Sequence, residues 1–436
     1  MTHAARLYRP PSAVAALLLA ALLALGAAWP TAGLAQQEAA ATQSRDTRKT
    51  PAMRESVFKQ LSAAQSAADL GEVEEAIRLL DRVKARDDLN SYELAQMYNF
   101  YAFIYYSQDR YDKSIGAYEK LLEQPNLPEA LEVTTLYGIA QLSLVTEDYA
   151  GAVRYLERWF RLVPDAGADA HILLAQAYYQ QGRLDDALAP VEKAIRMARE
   201  ADRKPRENWL LLARALNFEL GHYPEVVEIL ENLLSEYPRT EYWVQLAAMY
   251  GETGEEKKQL VAYEIAHEQG ALDSARELVL LAQLYLQQDV PYKAAVVLEE
   301  GMSAGVVEKN ARNYRLLSQA WVLAMESDKA IAALQEAARL SEDPELYLRL
   351  AQQYAGLSRW GDAMDAAAVA LDKGLDDSGE AHMMIGMARF NLGELERARR
   401  SFSLAAADER NAEAARQWID YIGKEQARKE QLARAM

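Results

Sequence analysis

Residues 90–121 read NSYELAQMYNFYAFIYYSQDRYDKSIGAYEKL. Tyr98, Tyr101 and Tyr105 recur at three- and four-residue spacing, so they line one face of a helix, with Ala102 beside them as a small residue that lets a second helix come close. A polar turn at 107–110 follows. Then Tyr111, Ser114, Tyr118 and Leu121 line one face of a second helix. A helix pair of this kind cannot bury its apolar face alone and needs stacked neighbours.

The rest of the chain supplies them. The small residue of the second helix recurs at Ala76, Ser114, Ala152, Ala187, Val226, Gln259, Ala294, Ala330, Ala363 and Ala398, at intervals of 33 to 39 residues. The large-small-aromatic pattern of the first helix returns at Leu174-Ala175…Tyr178, Leu246-Ala247…Tyr250, Leu281-Ala282…Tyr285 and Leu350-Ala351…Tyr354. Gly71, Gly182, Gly221, Gly254 and Gly393 fall between the two helices, and Pro164 and Pro238 close repeats. A two-helix period near 34 residues is the tetratricopeptide (TPR) signature. The expected fold is all-α, a TPR α-solenoid wound as a right-handed superhelix of about ten helix pairs. The fifth pair carries one residue more than the others between Leu212-Ala213 and Gly221, so its register is irregular. In the first pair Phe58, Leu61, Ile77 and Leu80 are the core candidates.

Outside the repeats the chain divides simply. Residues 1–35 read as an export signal: Arg6 and Arg9, an apolar run from Ala13 to Ala28, and small residues at Gly33 and Ala35, with cleavage expected after Ala35. An uncleaved inner-membrane anchor is the alternative, since the run is near the lower length limit for spanning. Either way the repeats are expected in the periplasm. Residues 36–50 are polar and aperiodic, a flexible linker. The array spans 51–410. Residues 411–436 form a capping helix, with Ala415, Trp418, Ile419 and Ile422 as the stripe that covers the last repeat, and a charged tail that frays beyond Gly423.

The formal net charge of the 436-residue chain is −17, and removal of residues 1–35 leaves −19. That charge disfavours nucleic acid and anionic lipid and draws in basic partners at low salt. It also simply keeps a long helical rod soluble. The absence of cysteine excludes disulfides, zinc–thiolate sites, a thiol nucleophile and a lipoprotein anchor. The five histidines (His3, His171, His222, His267 and His382) show no metal-ligand spacing, and His171 and His382 fall on core-facing positions. Gly301-Met302-Ser303-Ala304-Gly305 matches G-x-S-x-G, but that motif requires a preceding strand and here it follows a helix. No cofactor, metal or catalytic activity is expected.

One row is more specific. The residue right after the small one in the first helix is Gln65, Gln141, Gln176, Gln283, Gln319 and Gln352 in six of the ten pairs. The 3.6-residue period turns it about 100° from the packing face, onto the face that lines the groove of a TPR array. Phe103, Tyr106, Tyr137, Leu144, Ile172, Tyr179, Val279, Leu286, Leu348, Met383, Met387 and Phe390 share that face by spacing. Amides offer donors and an acceptor to an extended peptide backbone, and apolar neighbours take its side chains. The partner-binding set is therefore Phe103, Tyr106, Tyr137, Gln141, Gln176, Tyr179, Gln283, Gln319 and Gln352. Against this, glutamine is a good polar helix former and can bond across adjacent repeats.

Several segments go further than a generic repeat. Residues 49–55 (KTPAMRE), 90–108, 169–181 (DAHILLAQAYYQQ), 242–258 (YWVQLAAMYGETGEEKK), 290–298 (VPYKAAVVL) and 414–422 (AARQWIDYI) resemble the periplasmic TPR proteins found beside TonB energy-transduction components. The resemblance implies an accessory or scaffold role in TonB-dependent outer-membrane transport, with a TonB-like protein or a TonB-dependent receptor as partner. It assigns no binding residue. The alternative is a general assembly or chaperone-like factor for outer-membrane or secreted proteins.

Overall fold

The computed structural model describes residues 51–435. The export signal and the linker expected from the sequence, residues 1–50, lie outside the described residues. The described residues form twenty-one helices and no strand, in two compact units, one ending at Tyr237 and the other beginning at Pro238. The all-helical repeat reading holds: this is a TPR α-solenoid fold.

Unit 1 holds five helix pairs: α1 (Glu55–Asp69) with α2 (Val73–Lys84), α3 (Ser91–Tyr106) with α4 (Tyr111–Leu122), α5 (Glu129–Val145) with α6 (Tyr149–Leu162), α7 (Ala168–Gln180) with α8 (Leu184–Glu200), and α9 (Glu207–Leu220) with α10 (Tyr223–Glu236). Unit 2 holds five more: α11 (Thr240–Glu252) with α12 (Glu256–Glu268), α13 (Ala275–Gln287) with α14 (Pro291–Ser303), α15 (Ala311–Leu323) with α16 (Ser327–Ser341), α17 (Pro344–Gly356) with α18 (Trp360–Asp372), and α19 (Ser378–Asn391) with α20 (Leu395–Ala405). The last helix is α21 (Ala412–Ala435).

One backbone device sets every pair. Five residues before each small residue of the second helix stands a left-handed residue: Gly71, Asp109, Glu147, Gly182, Gly221, Gly254, Asp289, Met325, Ser358 and Gly393. It ends the first helix and reverses the chain so that the small residues of the two helices meet. Nine of the ten small residues on the second helices are buried. In the second pair Ser114 Oγ donates to the Ala102 carbonyl at 2.8 Å; in the eighth the roles exchange, and Ser318 Oγ of the first helix donates to Ala330 of the second, also at 2.8 Å. The sixth pair departs. Gln259 is half-buried, and its amide lies across Gly251, where an added Cβ would stand 2.4 Å from Nε2. Glycine there makes the room that alanine makes elsewhere.

Helices are joined to the next pair by a repeated clamp. The aromatic residue three after the small one is held by an acid or amide of the preceding second helix and faced by a cation of its own pair. Tyr178 OH donates to Glu157 at 3.0 Å beneath Arg183, whose guanidinium lies 4.4 Å from the ring. Tyr285 and Lys293 both hold Glu264. Tyr354 accepts from Gln335 at 2.7 Å beneath Arg359 at 4.6 Å.

At the start of unit 1 the lead-in is tied to α3. The Arg54 guanidinium bridges Glu93 (2.6 Å) and Asp88 (2.6 Å), its main-chain N–H donates to Glu93 at 2.9 Å, and Glu93 closes a capping box with Asn90. Glu93 is fully buried, and its hydrogen bonds from Arg54 bring the carboxyl down to about 2. In α1, Val57, Leu61 and Ala64 are buried; Phe58, expected in the core, is 58% exposed because the inward register falls one residue earlier, on Val57. In the fifth pair Ala213 is buried as expected, but the turn comes one residue late. Buried Asn217 takes up the offset, its amide donating to the Ala213 carbonyl at 2.8 Å and its oxygen facing His222 Nδ1 at 3.3 Å. In α21, Ala415 and Ile422 are buried and Trp418 stacks on Phe402 at 5.3 Å. The helix continues past Gly423 to Ala435.

Candidate partner-binding face

The nine residues singled out by spacing all lie on first helices, six in unit 1 and three in unit 2. In unit 1, Phe103 and Tyr106 come from α3, Tyr137 and Gln141 from α5, and Gln176 and Tyr179 from α7. Tyr106 and Gln141 are exposed, and Phe103, Tyr137, Gln176 and Tyr179 are half-buried. Among the described residues Gln141 and Gln176 make no hydrogen bond, so both amides are open to a partner. Tyr137 packs on Trp159 at 5.2 Å, which fixes its ring; burial raises its hydroxyl to about 12, so it stays a neutral donor. Tyr179 OH donates to Glu219 of α9 at 2.9 Å and is raised to about 12, chiefly by burial.

In unit 2, Gln283 of α13 and Gln319 of α15 are exposed and without a hydrogen bond among the described residues. Gln352 of α17 differs. Its amide donates to Glu380 of α19 at 2.7 Å, joining adjacent repeats. For this residue the cross-repeat bond competes with any partner. Leu144, Ile172, Leu348 and Met383, placed on the face by spacing, are buried and present nothing to a partner. Leu348, for example, packs with Ala370, Leu375 and Ala381 of its own and the next repeat.

The charges sit elsewhere. On this face of α3, α5 and α7 the side chains one turn either side of the amide row are Asn99, Tyr106, Tyr137, Leu144, Ile172 and Tyr179, none of them ionised at neutral pH. Two turns back from the row the face is charged: Asp169 on α7, and in unit 2 Glu241, Arg276, Arg312, Glu345 and Glu380, with Arg315 one turn back on α15. Reading only the residue after the small one missed these arginines. The same spacing, extended one and two turns back along each first helix, finds them.

Other chemistry does not converge. Among the described residues no group of three or more His, Asp or Glu is placed to hold a metal ion. Ser303 is the exposed last residue of α14, with buried Met302 before it, so the G-x-S-x-G stretch follows a helix and forms no strand-to-helix elbow. His171 is buried against Phe160 (4.8 Å between rings); desolvation, then the charge of Lys193, lowers it to about 4. No described helix is long and apolar enough to cross a membrane.

The fold and face define a helical-repeat protein of the tetratricopeptide type. A family model described as tetratricopeptide repeat matches residues 61–130 and 137–205, both within unit 1. A search of curated proteins returns no match. Solved structures similar to this chain include MamA (21% identity over 40% of this chain and 94% of that one, TM-score 0.33). YrrB, described as a TPR protein with an unusual peptide-binding site, shares 18% identity over 44% of this chain and 99% of its own (TM-score 0.34). The TPR2AB-domain:pHSP90 complex of yeast Sti1 shares 17% over 61% and 97% (TM-score 0.32).

Proposed function

We propose that this protein is a non-catalytic periplasmic interaction scaffold, accessory to TonB-dependent outer-membrane transport, that holds an extended segment of its partner against the first helices. The observation that carries the reading is the row in unit 1: two unengaged amides, Gln141 and Gln176, flanked by accessible aromatic rings on three successive first helices. An extended chain leaves its backbone donors and acceptors open, and amides answer both. Rings suit proline, whose fixed backbone loses little entropy on docking. The periplasmic setting and the TonB-like partner rest on residues 1–35 and on the resemblance of residues 49–55, 90–108 and the other segments above. The acidic net charge steers a basic, proline-containing spacer toward the molecule, while the amides and rings of α3, α5 and α7 grip it without ion pairs.

Photo-crosslinking in cells tests this, with a reactive residue at Gln141 or Gln176 and a control at exposed Glu192 on α8. Crosslinks from the two groove sites to one TonB-like protein or TonB-dependent receptor are expected. Crosslinks to many envelope proteins would move the reading to an assembly or chaperone factor, and crosslinks only from Glu192 would remove the face from it. The mass of the mature chain checks cleavage after Ala35.

A further inference from the structure

On α13 and α15 of unit 2 the first-helix face is basic. Arg276 on α13 and Arg312 on α15 stand six residues before the small residue of consecutive pairs, and Arg315 follows Arg312 by one turn and precedes Gln319 by another. All three are exposed, and among the described residues none makes an ion pair or hydrogen bond. Elsewhere in the unit Arg339, Arg359, Arg397, Arg399, Arg410 and Arg428 each sit on a carboxylate, while exposed Arg349, Arg400 and Arg416 are, like these three, outside any ion pair among the described residues. Of the nearby acids, Glu277 caps α13 with Ser274 and Glu308 is held by Asn310; exposed Glu345 stands at the matching position of the next first helix, α17, and forms no ion pair with the three. Gln283 and Gln319 add two exposed, unengaged amides on the same two helices.

A chain of net charge −17 that leaves three neighbouring guanidinium groups unneutralised presents a local well for carboxylates. Each guanidinium offers a planar fork matched to one carboxylate. Arg312 and Arg315, three apart on a helix, have Cβ atoms about 5–6 Å apart. Alternate side chains of an extended strand are spaced about 6.5 Å apart, so carboxylates at i and i+2 of an extended segment meet both. We propose that the α13–α15 face of unit 2 docks an extended acidic polypeptide segment, its Asp or Glu side chains on Arg276, Arg312 and Arg315 and its backbone on Gln283 and Gln319. The inference rests on the first-helix face being the docking surface, and gives unit 2 a partner chemistry opposite to the basic spacer proposed for unit 1.

The test uses the chain from residue 36 and a fluorescein-labelled (Glu-Ala)4 peptide, read by fluorescence anisotropy at low salt. Binding is expected, weakened about tenfold by Arg312→Glu with Arg315→Glu and only partly restored by Lys at both positions, which keeps the charge and loses the fork. Charge reversal at exposed Arg196 and Arg199 on α8, and Gln141→Ala with Gln176→Ala in unit 1, should leave it unchanged; circular dichroism confirms the fold of each variant. Absence of wild-type binding, or equal loss in the α8 variant, overturns the proposal. So does displacement by inorganic polyphosphate at matched charge as readily as by unlabelled peptide, which would mark a general anion patch. Loss of the in-cell crosslinks from Gln141 and Gln176 with peptide binding intact would sink the unit 1 reading alone.

Discussion

Met325 sits at φ +63° with 87% of its surface in water. A left-handed backbone costs a residue with a Cβ about 1–2 kcal/mol, and at this turn the side chain makes little packing to offset it. Glycine removes that strain but adds backbone freedom to the unfolded chain, worth about 0.5–1 kcal/mol. Met325→Gly is therefore expected to stabilise unit 2 by about 0.5 kcal/mol, seen as a higher urea midpoint; a lower midpoint would show that the turn is unstrained. The five glycine turns were legible in the sequence because glycine announces a positive φ. Asp109, Glu147, Asp289, Met325 and Ser358 adopt the same conformation without announcing it, and only the constant five-residue offset to the next small residue exposes them. His171 carries a second residue-scale prediction. Its pKa is about 4 in the fold against 6.5 in the open chain, so the unfolded state takes up the proton first as pH falls. The stability contributed by the neutral ring is whole above pH 6.5 and is lost as pH drops toward 4. The urea midpoint should fall between pH 7 and 5 in the wild type and fall less in His171→Leu. Parallel profiles would count against the assignment.

At the scale of the element, the tenth pair shows how a helix contact constrains its residues. Gly386 takes the small position of α19, and a Cβ there would lie 2.7–2.8 Å from ring atoms of Phe402, which is fully buried on α20 and stacked under Trp418 of α21. The ring cannot move without disturbing the capping helix. Gly386→Ala should cost about 1–3 kcal/mol by overpacking, and Phe402→Leu in the same chain should recover part of it. Thermal melts of the single and double variants decide the matter, and additive losses would mean the two sites do not press on each other. The helix pairs, their order and the capping stripe follow from apolar period alone, which is why they could be read in advance. Register within a helix is harder. Phe58 looked like core because it is large and apolar, yet one residue of rotation gives that place to Val57. Leu144, Ile172, Leu348 and Met383 share the angular position of a groove, but all four are buried, Leu348 against Ala381 of the next repeat. Angle around one helix does not report how near the next helix stands. Nor does spacing along first helices reveal that Arg54, on a lead-in without period, anchors buried Glu93.

For the whole molecule the governing quantity is charge. Among the described residues many ion pairs join residues three or four apart on exposed helix faces, and such pairs contribute little. The net −17 acts over longer distances. At about 10 mM salt the Debye length is about 30 Å, so acids on separate repeats repel; at about 150 mM it is about 8 Å and that repulsion is largely screened. Screening also weakens the local pairs, so the two effects oppose each other, and their sizes decide the sign. Exposed pairs are each worth about 0.3–0.5 kcal/mol and lose only part of that, whereas the repulsion sums over every unpaired acid and opposes the compact state as a whole. The melting temperature should therefore rise by a few degrees as NaCl increases from about 10 to 150 mM. The melt should be followed by circular dichroism, with sodium chloride chosen over sulfate so that specific salting-out stays small. A melting temperature that falls over this range would mean that the ion pairs outweigh the net charge. The long-range steering of a basic partner would then lose its physical basis, while the grip of the amides and rings on α3, α5 and α7 would remain to be judged by crosslinking.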